Sequence, residues 1–385
     1  MKDKGKRSFD NLRTKPKVLV LIDSNAIIHR AYHAMPKSLT TRSGEQTNAV
    51  YGFATTLIKV LEDLKPDYIA ASFDLEGPTF RHEAFKEYKA TRVKADQELY
   101  DQIPRVKEML TTMNVPIYEH QGFEADDCLG TIVAKISKSK VQISNEIQNP
   151  KFKKSNKANE TNEANKLDIY IVSGDKDIFQ LINGDVKVYN LRRGLSDTQI
   201  VDREIIEKEY HLQPKDFIDL KALAGDASDN IPGVPGIGAK TATTLLQDFD
   251  TLEKLYKKIE SGIRYPHSAK ATRGRQLSGN KNHDTLYEIR DTGLKKIKPR
   301  ILQLLIENKD QAFLSQKLAT IDQDVPVEFR LDDARWGEYD KGKLKDFFEE
   351  LGFRSLLRRF GIIEESPDRK PTEEQKKKDD QLRLL

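Results

Sequence analysis

Residues 18–25 read VLVLIDSN: five apolar residues, an aspartate, then two small polar residues. Outward from this stretch the chain keeps one rhythm. Amphipathic AVYGFATTLIKVLEDL (49–64) is followed by apolar YIAASFD (68–74), then by amphipathic QIPRVKEMLTTMN (102–114) and CLGTIVAKI (128–136), then by apolar LDIYIVSGD (167–175). Strands alternating with helices predict an α/β fold with a mostly parallel sheet. Three of these strands close on an acid, Asp23, Asp74 and Asp175. Ligands of open α/β sheets gather outside the carboxyl ends of the strands.

Six further acids fall in similar short patches: Glu124, Asp126 and Asp127 in FEADD, Asp177 in IVSGDKD, and Asp226 and Asp229 in GDASDN. FEADD opens a helix, with Asp126 and Asp127 in its first turn and Glu124 three residues from Asp127. Helix capping explains any one of these acids, but not all five patches together. Clustered carboxylates repel one another unless a cation sits among them. Oxygen-only ligands favour a hard ion, Mg²⁺ or Mn²⁺, and so many acids suggest two or more. Phosphodiester chemistry is the natural use of such a site.

The 385 residues suffice for two domains, and 37% apolar against 33% charged residues, with no apolar stretch of membrane-spanning length, describe a charged, cytoplasmic protein. No hydrophobic leader precedes the first strand. The single cysteine, Cys128, excludes an internal disulfide and a cysteine-rich zinc site. The formal charge is +4, yet setting the nine clustered acids aside from 61 leaves 52 against 65 basic residues, an excess of +13. Such an excess suits a polyanion partner bound through phosphate contacts.

FRHEAFKEYKATRVK (80–94) interleaves bases and aromatics: Arg81, His82, Phe85, Lys86, Tyr88, Lys89, Arg92 and Lys94. Read as a helix, it places Arg81, Phe85, Lys89 and Arg92 along one side, a face suited to gripping a phosphate chain and stacking a base. DNIPGVPGIGAKTATTLLQDF (229–249) is a helix-hairpin-helix pattern. Gly233, Gly236 and Gly238 permit a tight turn, and a helix from about Ala239 offers N–H groups to a phosphate, with Lys240 and Thr241 as side-chain donors. The order and spacing of a Walker loop are absent.

From about Val18 to Phe329 the chain resembles the 5′-3′ exonuclease and flap endonuclease family, in particular the 5′-nuclease domain of bacterial DNA polymerase I. LIDSNAIIHRAYHAMP, SFDLEGPTFRHEAFKEYKATR, GFEADD, SGDKDIFQL, LAGDASDNIPGVPGIGAKTA and FLSQKLATIDQDV carry the likeness. It implies a PIN-like core with a helical arch over residues 17–210 and a helix-three-turn-helix domain over 211–330. It also implies that Asp23, Asp74, Glu124, Asp126 and Asp127 hold one metal ion, while Asp175, Asp177, Asp226 and Asp229 surround another. Lys89 and Arg92 would sit on the arch and steer the scissile phosphate, with Arg81 at its base. Arg30 and Tyr32 would lie near the unpaired end, and the backbone carbonyls from Gly233 to Gly238 would take a monovalent cation, K⁺.

Two departures accompany the likeness. Asp23-Ser24-Asn25 replaces the family's Asp-Gly, a change a small polar residue should tolerate, and the insertion at about 138–166 is long and polar. It reads as a surface loop, and the leader (1–16) and the charged tail read as disordered. The helix near Phe347 to Phe360 is expected to pack on the body or meet a partner. The short C-terminal extension reads as that of a stand-alone, monomeric nuclease working beside a separate polymerase. The expected activity is metal-dependent hydrolysis at 5′ ends, flaps, nicks and gaps of DNA or RNA/DNA hybrids. Two other readings are a non-catalytic DNA-junction binder, which would not need all nine acids, and a PIN-type ribonuclease, which would lack GVPGIGAKTA.

Overall fold

The computed structural model describes residues 16–147, 166–264 and 288–363. The leader, the second half of the polar insertion and the charged tail lie outside the described residues. The chain divides into two units, one drawn from Met1–Thr79, Lys94–Ile205 and Ile321–Leu385, the other from Phe80–Val93 and Ile206–Thr320. This division departs from the expected boundaries at both ends of the helical unit. The basic stretch 80–93 groups with the helices, and the chain after Ile321 groups with the sheet.

The sheet unit holds six strands: β1 (Lys17–Asp23), β2 (Tyr68–Ser72), β3 (Ile117–Tyr118), β4 (Leu167–Ser173), β5 (Val186–Arg193) and β6 (Asp197–Val201). Their order is β3-β2-β1-β4-β5-β6, with every pair parallel except β5 and β6. β2 is buried along its whole length and β1 over its last five residues, as continuous apolar runs require when both faces of a parallel sheet are covered. The chain steps from β1 outward through β2 and β3, then returns to the other side of β1 with β4. That reversal makes the β1/β4 boundary the switch point where such sheets open a crevice.

The core joins β1 and β2 to the Asn48–Leu64 and Ile103–Thr112 helices, whose apolar residues recur at helical spacing. Leu344, Phe347, Phe348, Leu351, Phe353, Leu356 and Leu357 enter the same core. The C-terminal helix therefore packs on the body, as expected, but as two helices, Lys341–Glu350 and Arg354–Arg359. Gly352 between them takes a φ of 76°, a left-handed turn that glycine adopts without strain. The helix opened by FEADD spans Ala125–Ile147, so regular structure continues into the stretch expected to be an irregular loop.

The helical unit is built from Asp216–Ala224, Ala239–Phe249, Leu252–Gly262, Pro299–Glu307 and Lys309–Ala319. Leu223, Val234, Ile237, Leu246, Leu255, Leu302 and Leu305 form its interior. The basic stretch is not the single helix expected from its spacing. Helix covers only Phe80–Ala84, and Lys89 lies at a left-handed φ of 54°. The reason is tertiary: Lys89 N–H donates to the Asp229 carbonyl at 2.9 Å, and Asn230 Nδ2 donates to the Glu87 carbonyl at 2.6 Å.

Candidate metal centre and nucleic-acid interface

Asp23 is the last residue of β1 and stands beside Ser72, the last residue of β2. Asp74 follows β2 by two residues, and Asp175 follows the end of β4 by two. Three neighbouring parallel strands thus deliver three carboxylates to one edge. Asp23 also caps the Ser24–Ala34 helix, its Oδ1 accepting from Ala26 N–H at 3.2 Å. Ser173 Oγ donates to its Oδ2 at 2.6 Å. Burial is the main cause that pushes the Asp23 carboxyl up to about 7, and the charges of Asp74 and Asp175 push in the same direction against the Ser173 and Ala26 hydrogen bonds.

The FEADD turn adds to this edge. Asp74 Oδ1 accepts from Ala125 N–H at 2.7 Å, and Asp74 N–H donates to Asn25 Oδ1 at 3.2 Å. The turns after β1 and β2 and the start of the Ala125–Ile147 helix are thereby tied together. Glu124 is buried and Asp126 half-buried. Asp127 is 0% exposed, with Oδ2 accepting from Glu124 N–H at 3.0 Å and Oδ1 from Asp322 N–H at 2.8 Å. Its oxygens brace the helix start against the chain from Ile321 onward. Asp175 Oδ1 accepts from Asp177 N–H at 2.9 Å, which closes the SGDKD turn, and Asp177 is buried.

Among the described residues no three carboxylate, imidazole or thiol groups are already drawn into a ready-made cation cage. What converges is charge, braced by backbone N–H groups. The donor set is all oxygen and excess negative, which fits a hard divalent cation. Cys128 is buried, and burial pushes its thiol up to about 12, so it offers no thiolate ligand.

Asp226 and Asp229 belong to the helical unit. Asp226 closes a short bridge with Ile231, and its side chain accepts from Ser228 N–H at 2.8 Å, from Ser228 Oγ at 2.6 Å and from Lys221. Burial acts to raise its carboxyl, but the Lys221 charge and these hydrogen bonds outweigh it and bring the pKa down to about 2. Asp229 accepts from Arg92 and, at 3.2 Å, from Tyr88 OH, while Lys89 Nζ stands 4.0 Å away. Lys89 and Arg92, expected to meet phosphate, are here paired with an expected metal ligand.

Arg81 is 2% exposed, its Nε donating to the Leu318 carbonyl at 2.9 Å and its Nη2 to the Thr320 carbonyl at 3.0 Å. This arginine anchors the basic stretch to the Lys309–Ala319 helix. Tyr88 is buried and Phe85 half-buried, both packed with Ile231 and Leu318, whereas Lys86 and Arg92 are exposed. In the sheet unit Tyr32 is buried and donates to Asp96 Oδ2 at 2.8 Å, beside Lys37. Arg30 Nη1 donates to the Arg192 carbonyl at 3.0 Å, and a Cβ at Gly174 would meet its guanidinium at 2.5 Å. Only glycine lets the arginine lie against the SGD turn. Ser24 has no positive φ, so the departure from the family's glycine is unstrained, although its buried hydroxyl has no hydrogen-bond partner.

The hairpin matches its reading. Gly233 and Gly236 take φ of 60° and 84°, and a helix starts at Ala239 with Gly238 as its N-cap. A Cβ at Gly233 would stand 2.2 Å from Gly225 N, while around Gly238 nothing lies within 4 Å. Lys240 is exposed and Thr241 half-buried at this helix start. Three of the carbonyls from Gly233 to Gly238 are engaged within the unit, Gly233 O by Gln311 Nε2 at 2.7 Å, Val234 O by Ile237 N–H at 3.0 Å and Gly238 O by Thr241 and Ala242 N–H, each at 3.0 Å.

Comparison with known proteins gives two consecutive matches: the 5′-3′ exonuclease N-terminal resolvase-like domain over residues 18–146 and the 5′-3′ exonuclease C-terminal SAM fold over residues 212–342. The chain belongs to the 5′-3′ exonuclease family. Among relatives of this family, DNA polymerase I of Bacillus subtilis is 36% identical over 348 residues, covering 90% of this chain and 33% of the relative. DNA polymerase I of Bacillus caldotenax is 35% identical over 341 residues, covering 89% and 32%. The chain spans about a third of the length of these curated relatives. A zinc-bound T5 5′-exonuclease shares the fold with a TM-score of 0.52 at 18% identity, over 90% of this chain and 98% of that one. A bacteriophage T5 flap endonuclease in a pseudo-enzyme–product complex with DNA and metal ions gives the same TM-score and coverage at 17% identity.

Proposed function

We propose that this protein is a metal-dependent 5′-3′ exonuclease and structure-specific 5′-flap endonuclease acting on DNA. The observation that carries the reading is the delivery of Asp23, Asp74 and Asp175 to one strand edge, where the charges of Asp74 and Asp175 oppose the ionisation of Asp23. With Glu124 and Asp126 flanking Ala125, whose N–H binds Asp74, and Asp177 two residues after Asp175, this edge would hold the divalent ions, Mg²⁺ or Mn²⁺, two or more in number. The assignment of Asp127, Asp226 and Asp229 as ligands rests on the sequence resemblance. A divalent cation bound there supplies a Lewis acid that activates water and neutralises charge on the phosphate.

The protein's own groups do the rest. Gly238, Ala239 and Lys240 open a helix whose positive end suits a backbone phosphate, with Lys240 and Thr241 as donors, so that duplex is gripped without base readout. K⁺ at the hairpin carbonyls belongs to the same reading. Lys86 and Arg92 are exposed on the basic stretch and suit the 5′ strand, while Arg81, Phe85 and Tyr88 shape that stretch from within. Arg30 steadies the SGD turn. Flaps, nicked or gapped duplex and RNA/DNA hybrids are the substrates this recognition admits. A bacterial cytoplasm, beside a DNA polymerase, is the setting.

The test is incubation with a 5′-flap DNA in Mg²⁺, in EDTA, and as the Asp175→Ala variant. Cleavage near the junction only in the first supports the reading. Binding without cleavage in either Mg²⁺ or Mn²⁺ overturns it in favour of a junction-binding protein.

A further inference from the structure

We propose that Ser173 is a positioning residue, its hydroxyl holding Asp23 and Asp175 in one ligand geometry; this role rests on the metallonuclease reading above. Ser173 ends β4 and is 0% exposed, so no solvent competes for its hydroxyl. Its Oγ accepts the Asp175 N–H at 2.9 Å and stands 2.6 Å from Asp23 Oδ2. Because the backbone N–H can only donate, the single hydroxyl proton goes to Asp23.

This bond completes the restraint on Asp23. Oδ1 is held by Ala26 N–H at the helix start and Oδ2 by Ser173 across the β1/β4 boundary. Two donors, one on each oxygen, fix the plane of the carboxylate. The same Oγ holds the backbone of Asp175, whose own Oδ1 accepts from Asp177 N–H at 2.9 Å. Loss of one hydroxyl would therefore release the Asp23 side chain and the SGDKD turn together. Partners of metal ligands typically tune affinity about 10–100-fold through such orientation.

The experiment is calorimetric titration of the full chain with Mn²⁺ in the absence of DNA, for wild type, Ser173→Ala and Ser173→Thr, with folding checked by circular dichroism. We expect Ser173→Ala to bind Mn²⁺ about 10–100-fold more weakly and Ser173→Thr, which keeps the hydroxyl, to stay within about threefold of wild type. A merely structural role would lower the melting temperature without moving the Mn²⁺ affinity of the folded protein. Ser173→Ala binding as tightly as wild type, or Ser173→Thr binding as weakly as Ser173→Ala, overturns the proposal. Should Ser173→Ala not fold, Ser173→Cys, similar in size and a weak donor, takes its place under the same criteria. Failure of wild type itself to bind Mn²⁺ would overturn the metallonuclease reading together with this role, whereas equal binding by wild type and variant overturns the role alone.

Discussion

Replacing Asp23 by asparagine should stabilise the metal-free protein while removing its activity. In the folded chain burial raises the Asp23 carboxyl from 3.8 to about 7, with Asp74 and Asp175 adding to the rise. The folded state therefore holds a proton that the unfolded chain has given up between these two values. Stability from this group is intact below pH 3.8, falls as pH rises through the interval, and stays low above about 7. At about 1.4 kcal/mol per pH unit, the cost at pH 8 is about 4 kcal/mol. Asparagine keeps the shape and a carbonyl acceptor for Ala26 N–H or Ser173 Oγ but carries no charge. For a unit of this size, at about 2–4 °C per kcal/mol, Asp23→Asn should melt higher by on the order of 8–16 °C in EDTA at pH 8. The gap should close as pH falls toward 4, and Mg²⁺ should raise the melting temperature of wild type more than that of the variant. The assay is a thermal melt across pH with EDTA or Mg²⁺, paired with flap cleavage. A variant that melts at or below wild type in EDTA at pH 8, or a gap that ignores pH, would refute the reasoning.

Four other substitutions separate structure from recognition. Gly233→Ala places a Cβ 2.2 Å from Gly225 N at a φ of 60°, and should cost at least about 2–3 kcal/mol with loss of duplex binding. Gly238→Ala enters open space at the helix start, so a melt should show at most about 1 kcal/mol lost while duplex affinity, read by fluorescence anisotropy, falls several-fold. Arg81→Met strands the Leu318 and Thr320 carbonyls and should destabilise by about 2–4 kcal/mol in denaturant titration; an unchanged melt with lost cleavage would instead return Arg81 to the chemistry. Phe348→Ala removes a wholly buried ring stacked on Phe360 at 5.3 Å and should cost about 3–5 kcal/mol by the same titration, which would mark the C-terminal helices as part of the sheet unit.

The strand ends were legible in the sequence because an apolar run closing on an acid is a local pattern. Asp23, Asp74 and Asp175 needed no tertiary knowledge to be singled out. Gly238 and Ala239 were legible for the same reason, since hairpin glycines punctuate the chain where the helix begins. The C-terminal contribution to the core followed from the amphipathic segment near Phe347 to Phe360. What escaped depends on distant partners. Helical spacing over 81–92 was outweighed by bonds from Lys89 and Glu87 to the turn at Asp229 and Asn230. Arg81 looked like a surface base because the carbonyls that bury it lie more than 200 residues away. Ser173 read only as the end of an apolar strand, for nothing local shows that a hydroxyl there faces Asp23. The position of Asp127 between Glu124 and Asp322 was hidden in the same way.

The most direct test of the metal centre is a crystal of the full chain soaked in Mn²⁺ and measured for anomalous scattering at the manganese edge. Peaks at the ends of β1, β2 and β4, ligated by Asp23, Asp74 or Asp175, are what the account predicts. A clean map at that edge, in crystals whose protein cleaves a 5′ flap in Mn²⁺, would contradict it.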